Sequence, residues 1–83
     1  MDSKVINTKS LGSIVRSARK EKGVSQSLAG ESVGVDQSTL SALERGASNV
    51  RIETLFRVLS ALNLELVVRT RGANSNSDEK DKW

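Results

Sequence analysis

The sequence predicts a mainly α domain of four helices, followed by a C-terminal β-strand that pairs across a dimer and then a disordered tail. Three observations lead there. Apolar residues recur at helical spacing in four runs. The stretch Val24–Gly46, VSQSLAGESVGVDQSTLSALERG, holds two short helices joined at Gly34, with their starts and stops written in its residues. After Asn63 the apolar period drops from 3.6 to two. The chain divides into an N-terminal arm at 1–7, a helical domain with its dimerisation strand at 8–71 (strand 64–70) and a flexible tail at 72–83.

The first helix is expected over Thr8–Lys22. Asn7 stands as N-cap, Ile6 is placed to staple onto Leu11, and Leu11, Ile14, Val15 and Ala18 form one apolar face. Gly23 stops it, behind Arg19, Lys20 and Lys22, whose charges suit the negative end of the helix dipole. Ser25 caps a second helix over Gln26–Val33, which ends at Gly34. Asp36 caps a third over Gln37–Arg45, with Val35 and Leu40 at staple spacing and Gly46 as the stop. In this pair Ala29, Val33, Val35, Leu40 and Leu43 face inward, leaving Gln37, Ser38, Thr39, Ser41 and Ala42 outward. The polar link Ala47–Ser48–Asn49 leads to a fourth helix, Val50–Leu62, marked by Ile52, Leu55, Phe56, Leu59 and Leu62.

Leu64, Leu66, Val67 and Val68 make up the strand. A lone strand leaves its backbone donors and acceptors unpaired, so it needs a partner. The same strand of a second subunit is the preferred partner; Lys4–Ile6 is a short intrachain alternative, and a fraying helix extension or an irregular strand on the core is the other reading. Residues 72–83, GANSNSDEKDKW, have the small, polar, charged composition of a disordered segment.

Composition narrows the function. Eighty-three residues allow one small domain with a core that is marginal alone, which favours burial against a second chain. With no Cys and no His there are no disulfides, no thiol nucleophile, no common zinc ligand set and no usual general base. No pair of carboxylates stands in an apolar setting, so neither catalysis nor a metal or other cofactor is expected. No apolar run approaches the roughly 20 residues that span a bilayer, and the N-terminus lacks a signal-peptide core; a cytoplasmic protein is expected. Charge is uneven: residues 1–23 carry six Lys or Arg against two acids, 24–48 one against three, and 49–71 four against two. Basic flanks of this kind attract phosphates while the helix between them stays nearly neutral.

Two short helices around a tight turn have one frequent use, presenting the second to the major groove of double-stranded DNA; an ordinary helical hairpin without a ligand is the plain alternative. Gln37 suits a bidentate pairing with adenine, Thr39 and Ala42 offer methyl groups to thymine, and Ser38 and Ser41 can bond bases or phosphates. Without Arg or Lys on this face before Arg45, weak guanine readout and more reliance on A·T steps and DNA shape are expected. Ser25 and Gln26 open the second helix, where amides and the positive dipole end favour a phosphate. Arg45, Ser48, Asn49 and Arg51 follow the third helix as further phosphate contacts, which position without selecting sequence.

The set Leu11-Gly12, Arg16, Arg19, Gly23, Ser25-Gln26, Gly34-Val35, Gln37-Ser38-Thr39-Leu40-Ser41 and Glu44-Arg45-Gly46 resembles the Cro/lambda-repressor (Xre) helix-turn-helix family over residues 10–62. That resemblance implies a lambda-repressor-like fold. It also implies an ion pair between Arg19 and Glu44 with a structural role, and a Gln26 that contacts the DNA backbone and braces the first reading residue. The family's Leu-Ala in the first helix of the motif is Ala29-Gly30 here; Gly30 keeps a close helix crossing, and Leu28 is expected to restore part of the packing lost at Ala29. Where the family commonly adds a fifth helix, this chain turns into LELVVRT. That ending, the preceding TLFRVLSALNLELVV and the final Trp83 resemble HipB-type antitoxins. The resemblance implies a homodimer joined by a small intersubunit sheet, a pseudo-palindromic operator, and a HipA-like Ser/Thr kinase toxin with Trp83 as a candidate toxin contact. A bacterial protein, nucleoid-associated when on its operator, is implied as well. A stand-alone Xre-type repressor without a toxin, and a protein-interaction adaptor that does not bind DNA, are the alternatives.

Overall fold

The computed structural model describes residues 3–71; the tail and Trp83 lie outside the described residues. Four helices follow in order: α1 (Thr8–Lys22), α2 (Gln26–Glu31), α3 (Gln37–Glu44) and α4 (Ile52–Ala61). Helix α3 packs against α1 and α2, and α2 also packs against α4.

The helix starts follow side-chain chemistry. Asn7 Oδ1 accepts from the Ser10 amide at 2.8 Å, and Ser10 Oγ accepts from the Asn7 amide at 3.2 Å, closing a reciprocal capping box. Ser25 Oγ accepts from the Leu28 amide at 3.0 Å. Asp36 occupies the N-cap position of α3 but makes no side-chain cap bond to the backbone. Ile6, expected to staple onto Leu11, is 67% exposed.

All four helices end in the same way. A left-handed residue follows each (Gly23, Gly34, Gly46 and Asn63), and paired amide bonds reach back into the last turn. Around Gly34, for example, the Gly34 amide donates to Glu31 and the Val35 amide to Gly30. This closure tightens the final turn: Val33, Arg45 and Leu62 donate three residues back, to Gly30, Ala42 and Leu59. Regular helix therefore stops at Glu31, Glu44 and Ala61, short of the expected Val33, Arg45 and Leu62. Helix α4 also begins two residues later than expected. Arg51 is extended (φ −68°, ψ 145°), and Val50 packs against the core from the preceding link.

The core runs through all four helices. Val15, Leu40 and Val58 are fully enclosed, with Ala18, Ala29, Val35, Leu43, Leu55, Leu59 and Leu62 around them. Enclosing one such aliphatic side chain contributes about 1.5–3 kcal/mol. Two glycines let backbones approach closely. A Cβ on Gly12 would lie 2.4 Å from the Leu43 carbonyl oxygen, so α1 meets the end of α3 backbone to backbone. A Cβ on Gly30 would lie 2.2 Å from the Val35 carbonyl oxygen, which makes this glycine a requirement of the turn between α2 and α3. Leu28 is 56% exposed and does not restore the packing lost at Ala29.

Beyond α4 the helix cannot continue, because Asn63 is left-handed (φ 58°), a conformation Asn tolerates better than most residues. Leu64 returns to the core, its amide donating to Leu59 at 2.8 Å, while Leu66, Val67 and Val68 are exposed. Among the described residues no strand forms, and Lys4–Ile6 does not pair with this segment. Within one chain the expected strand has no edge to join.

Candidate nucleic-acid interface

The second and third helices are locked together from behind by a buried polar network. Arg19 Nε donates to Glu44 Oε2 at 2.6 Å and Nη2 to Oε1 at 3.1 Å, a forked pairing of α1 with α3. Arg19 Nη1 also donates to the Val24 carbonyl at 2.8 Å, and Gln26 Nε2 donates to Glu44 Oε1 at 3.0 Å. The hydrogen bonds it donates to Glu44 hold the Arg19 guanidinium even more firmly protonated than usual. Burial alone raises the Glu44 pKa, but hydrogen bonds from Arg19 and Gln26, with the charges of Arg19 and Arg16, more than reverse it and hold the carboxyl below its ordinary range. Gln26 is thereby fixed against α3 through Glu44.

The face of α3 away from this network is polar. Leu40, Leu43 and Glu44 are buried, and helical spacing sets Ser38, Ala42 and Arg45 on the opposite side, with Gln37 and Ser41 beside them and Thr39 at the flank. Gln37 and Ser38 are exposed; Thr39, Ser41 and Ala42 are half-buried. Several hydroxyls are already engaged. Ser38 Oγ donates to Asp36 Oδ2 at 2.6 Å, and Thr39 Oγ1 donates to Asp36 Oδ1. These two hydroxyls, Ser38 first, with a smaller contribution from the nearby Asp36 and Thr39 backbone amides, hold the Asp36 carboxyl below its ordinary pKa. Arg45 Nη1 donates to Ser41 Oγ at 2.6 Å, drawing the cation back over the last turn.

Ser25 spends an acceptor position on the Leu28 amide, leaving its hydroxyl proton and the Gln26 and Ser27 amides to the outside. Ser48, Asn49 and Arg51 are exposed along the link after α3. The fold adds a cation that local sequence did not single out: the backbone of Lys9, at the start of α1, lies against Gly46 at the end of α3. That approach joins residues 37 apart in the chain, and only the close packing at Gly12 and Gly46 brings them together. Among the described residues no group of acids forms a candidate metal site, and no helix is long and apolar enough to cross a membrane.

This arrangement has a clear counterpart among known proteins. A helix-turn-helix family model matches residues 15–68. The chain belongs to that family. Its members of the Xre type are DNA-binding regulators, and so is this chain; it is not an enzyme. It is 26% identical over 78 residues to Antitoxin HipB of Escherichia coli strain K12, covering 93% of this chain and 89% of that protein. It is 31% identical over 64 residues to the ImmF control region 10 kDa protein of Bacillus phage phi105, covering 77% of this chain and 71% of the relative. A chain of a HipA–HipB–O2–O3 complex superposes with a TM-score of 0.78 at 25% identity, covering 83% of this chain and 97% of that one.

Proposed function

We propose that this helix-turn-helix protein is a transcriptional autorepressor and the antitoxin of a type II toxin–antitoxin pair, holding a HipA-like Ser/Thr kinase toxin in the bacterial cytoplasm. The observation that carries this reading is the extent of the likeness: the match to Antitoxin HipB runs over nearly the whole chain, past the helix-turn-helix unit and through the segment after Asn63. Two copies pair through residues 64–70, and the exposure of Leu66, Val67 and Val68 supports this, since one chain leaves them in water. The dimer sets two α3 helices on a pseudo-palindromic operator. Gln37, Ser38, Thr39, Ser41 and Ala42 face the bases; Ser25, Gln26, Arg45, Ser48, Asn49 and Arg51 hold phosphates, with Lys9 as an added contact. Trp83 and the tail meet the toxin.

The test is binding of the purified full chain to DNA upstream of its own gene at several salt concentrations, with and without the kinase. The wild type should bind one site with a steep salt dependence. Gln37→Ala should relax preference at one position, while Arg51→Ala should weaken all sequences alike and flatten the salt slope. Deleting residues 72–83 should weaken kinase binding and leave DNA affinity nearly unchanged. Unaltered base preference in Gln37→Ala overturns the reading role of that residue. The similarity to a phage control-region protein favours a second reading, a repressor without a toxin; it prevails if no kinase binds.

A further inference from the structure

We propose that Asp36 is a specificity-determining residue: it consumes the hydroxyl protons of Ser38 and Thr39, so that these two side chains offer only acceptors and select base edges that donate. The inference rests on the DNA-reading role of α3 proposed above. Asp36 stands at the helix N-cap, yet its carboxylate spends its two oxygens on side chains, Oδ2 on Ser38 and Oδ1 on Thr39, and makes no side-chain cap bond to the backbone. A serine or threonine hydroxyl has one proton and two lone pairs. With the proton committed to the carboxylate, each oxygen presents lone pairs alone.

The major groove makes this consequential. Cytosine shows an amino donor there, and adenine shows a donor beside an acceptor. Guanine shows two acceptors, and thymine an acceptor and a methyl. The Asp36, Ser38 and Thr39 side chains, acceptor-only and carrying one negative charge between them, therefore favour cytosine first and adenine second, and repel the guanine edge. The surroundings reinforce the sign. The shallow groove between α2 and the start of α3 is bordered by Ser27, Glu31, Gly34, Val35, Asp36 and Gln37: two acids and no cation. Arg57 approaches the turn at Gly34, but its guanidinium faces Glu53 at 3.5 Å on its own helix. Phosphates are held from the other end of α3, where Lys9, Arg45 and Arg51 lie. Asp36 thus works by exclusion as much as attraction.

The experiment is selection of binding sites from a random duplex library by the full chain, followed by affinities for every single-base change in the selected site. The wild type is compared with Asp36→Ala and with Asp36→Ser, which keeps a capping hydroxyl without the charge; thermal unfolding confirms that each variant folds. The wild type should show a position where cytosine is preferred over guanine by about tenfold or more. Both variants should bring that ratio below threefold while the preference set by Gln37 persists. Replacing that cytosine by 2-pyrimidinone, which lacks the amino group, should weaken the wild type about tenfold and Asp36→Ser little. An unchanged ratio in both variants, or a wild-type site without any position that Asp36 controls, overturns the inference and leaves the DNA-reading role standing. A wild type that selects no site overturns both.

Discussion

The chain before Asn63 and the chain after it solve opposite problems. Up to Asn63 the helix ends are closed by their own backbone bonds, the core is enclosed, and a buried charge meets its partner in forked geometry. From Leu66 to Val68 apolar side chains stand in water on a backbone without a ladder. The first part closes its own helix ends; the second leaves its backbone without a ladder among the described residues. A domain of this size has little core to spare, yet apolar surface is left in water both here and on the helices, where Leu28, Ile52 and Phe56 are exposed; the proposed pairing with a second copy would cover the part carried by residues 66–68.

Three substitutions break or sharpen that contrast. The largest effect belongs to Glu44→Ala, which strands the Arg19 guanidinium in a buried site and removes the acceptor for Gln26. A loss of about 3–5 kcal/mol is expected, measured by urea unfolding. The same variant tests the acid response. A carboxyl held below its ordinary pKa contributes stability that is complete above that ordinary value and disappears as pH falls through the lowered one. The wild type, which has no His, should therefore keep level stability from about pH 5 to 8 and weaken below about pH 4. Glu44→Ala should blunt that acid slope. A variant with wild-type stability and an unaltered slope shows that the network is ornamental to the fold.

Next comes Gly12→Ala. The added methyl would meet the backbone of α3, which cannot yield as a flexible side chain does, so a loss of about 1–3 kcal/mol is expected from the thermal midpoint. A neutral result means that α1 and α3 can slide apart without cost. The smallest effect on helix stability, within about 0.5 kcal/mol, is expected of Val67→Arg. Its consequence should instead appear in sedimentation, as a shift from dimer to folded monomer. Unchanged mass with intact DNA affinity excludes residues 64–70 as the pairing surface.

Much of the helical part was legible because short-range chemistry decides it. Asn7, Ser25 and Asp36 stand where the sequence placed them, and α1 spans Thr8–Lys22 as its apolar period requires. The helix ends were less legible, since closure around a left-handed residue converts the last turn to shorter bonds. The start of α4 carried no signal because Arg51 occupies its N-cap without a capping oxygen. What escaped altogether is long-range or rotameric: the contact of Gly12 with Leu43, the approach of Lys9 to Gly46, and the choice of Asp36 between backbone amides and neighbouring hydroxyls. Residue spacing reports which groups can meet, and only the packed chain decides which do.

Asn63 carries a geometric consequence out of proportion to its size. One left-handed peptide fixes the heading on which the backbone departs from α4, with Leu64 pinned behind it. In the proposed pair that heading orients the dyad, and so sets how many base pairs separate the two stretches of sequence being read. Under that proposal a residue outside the reading helix would act as the ruler of the operator.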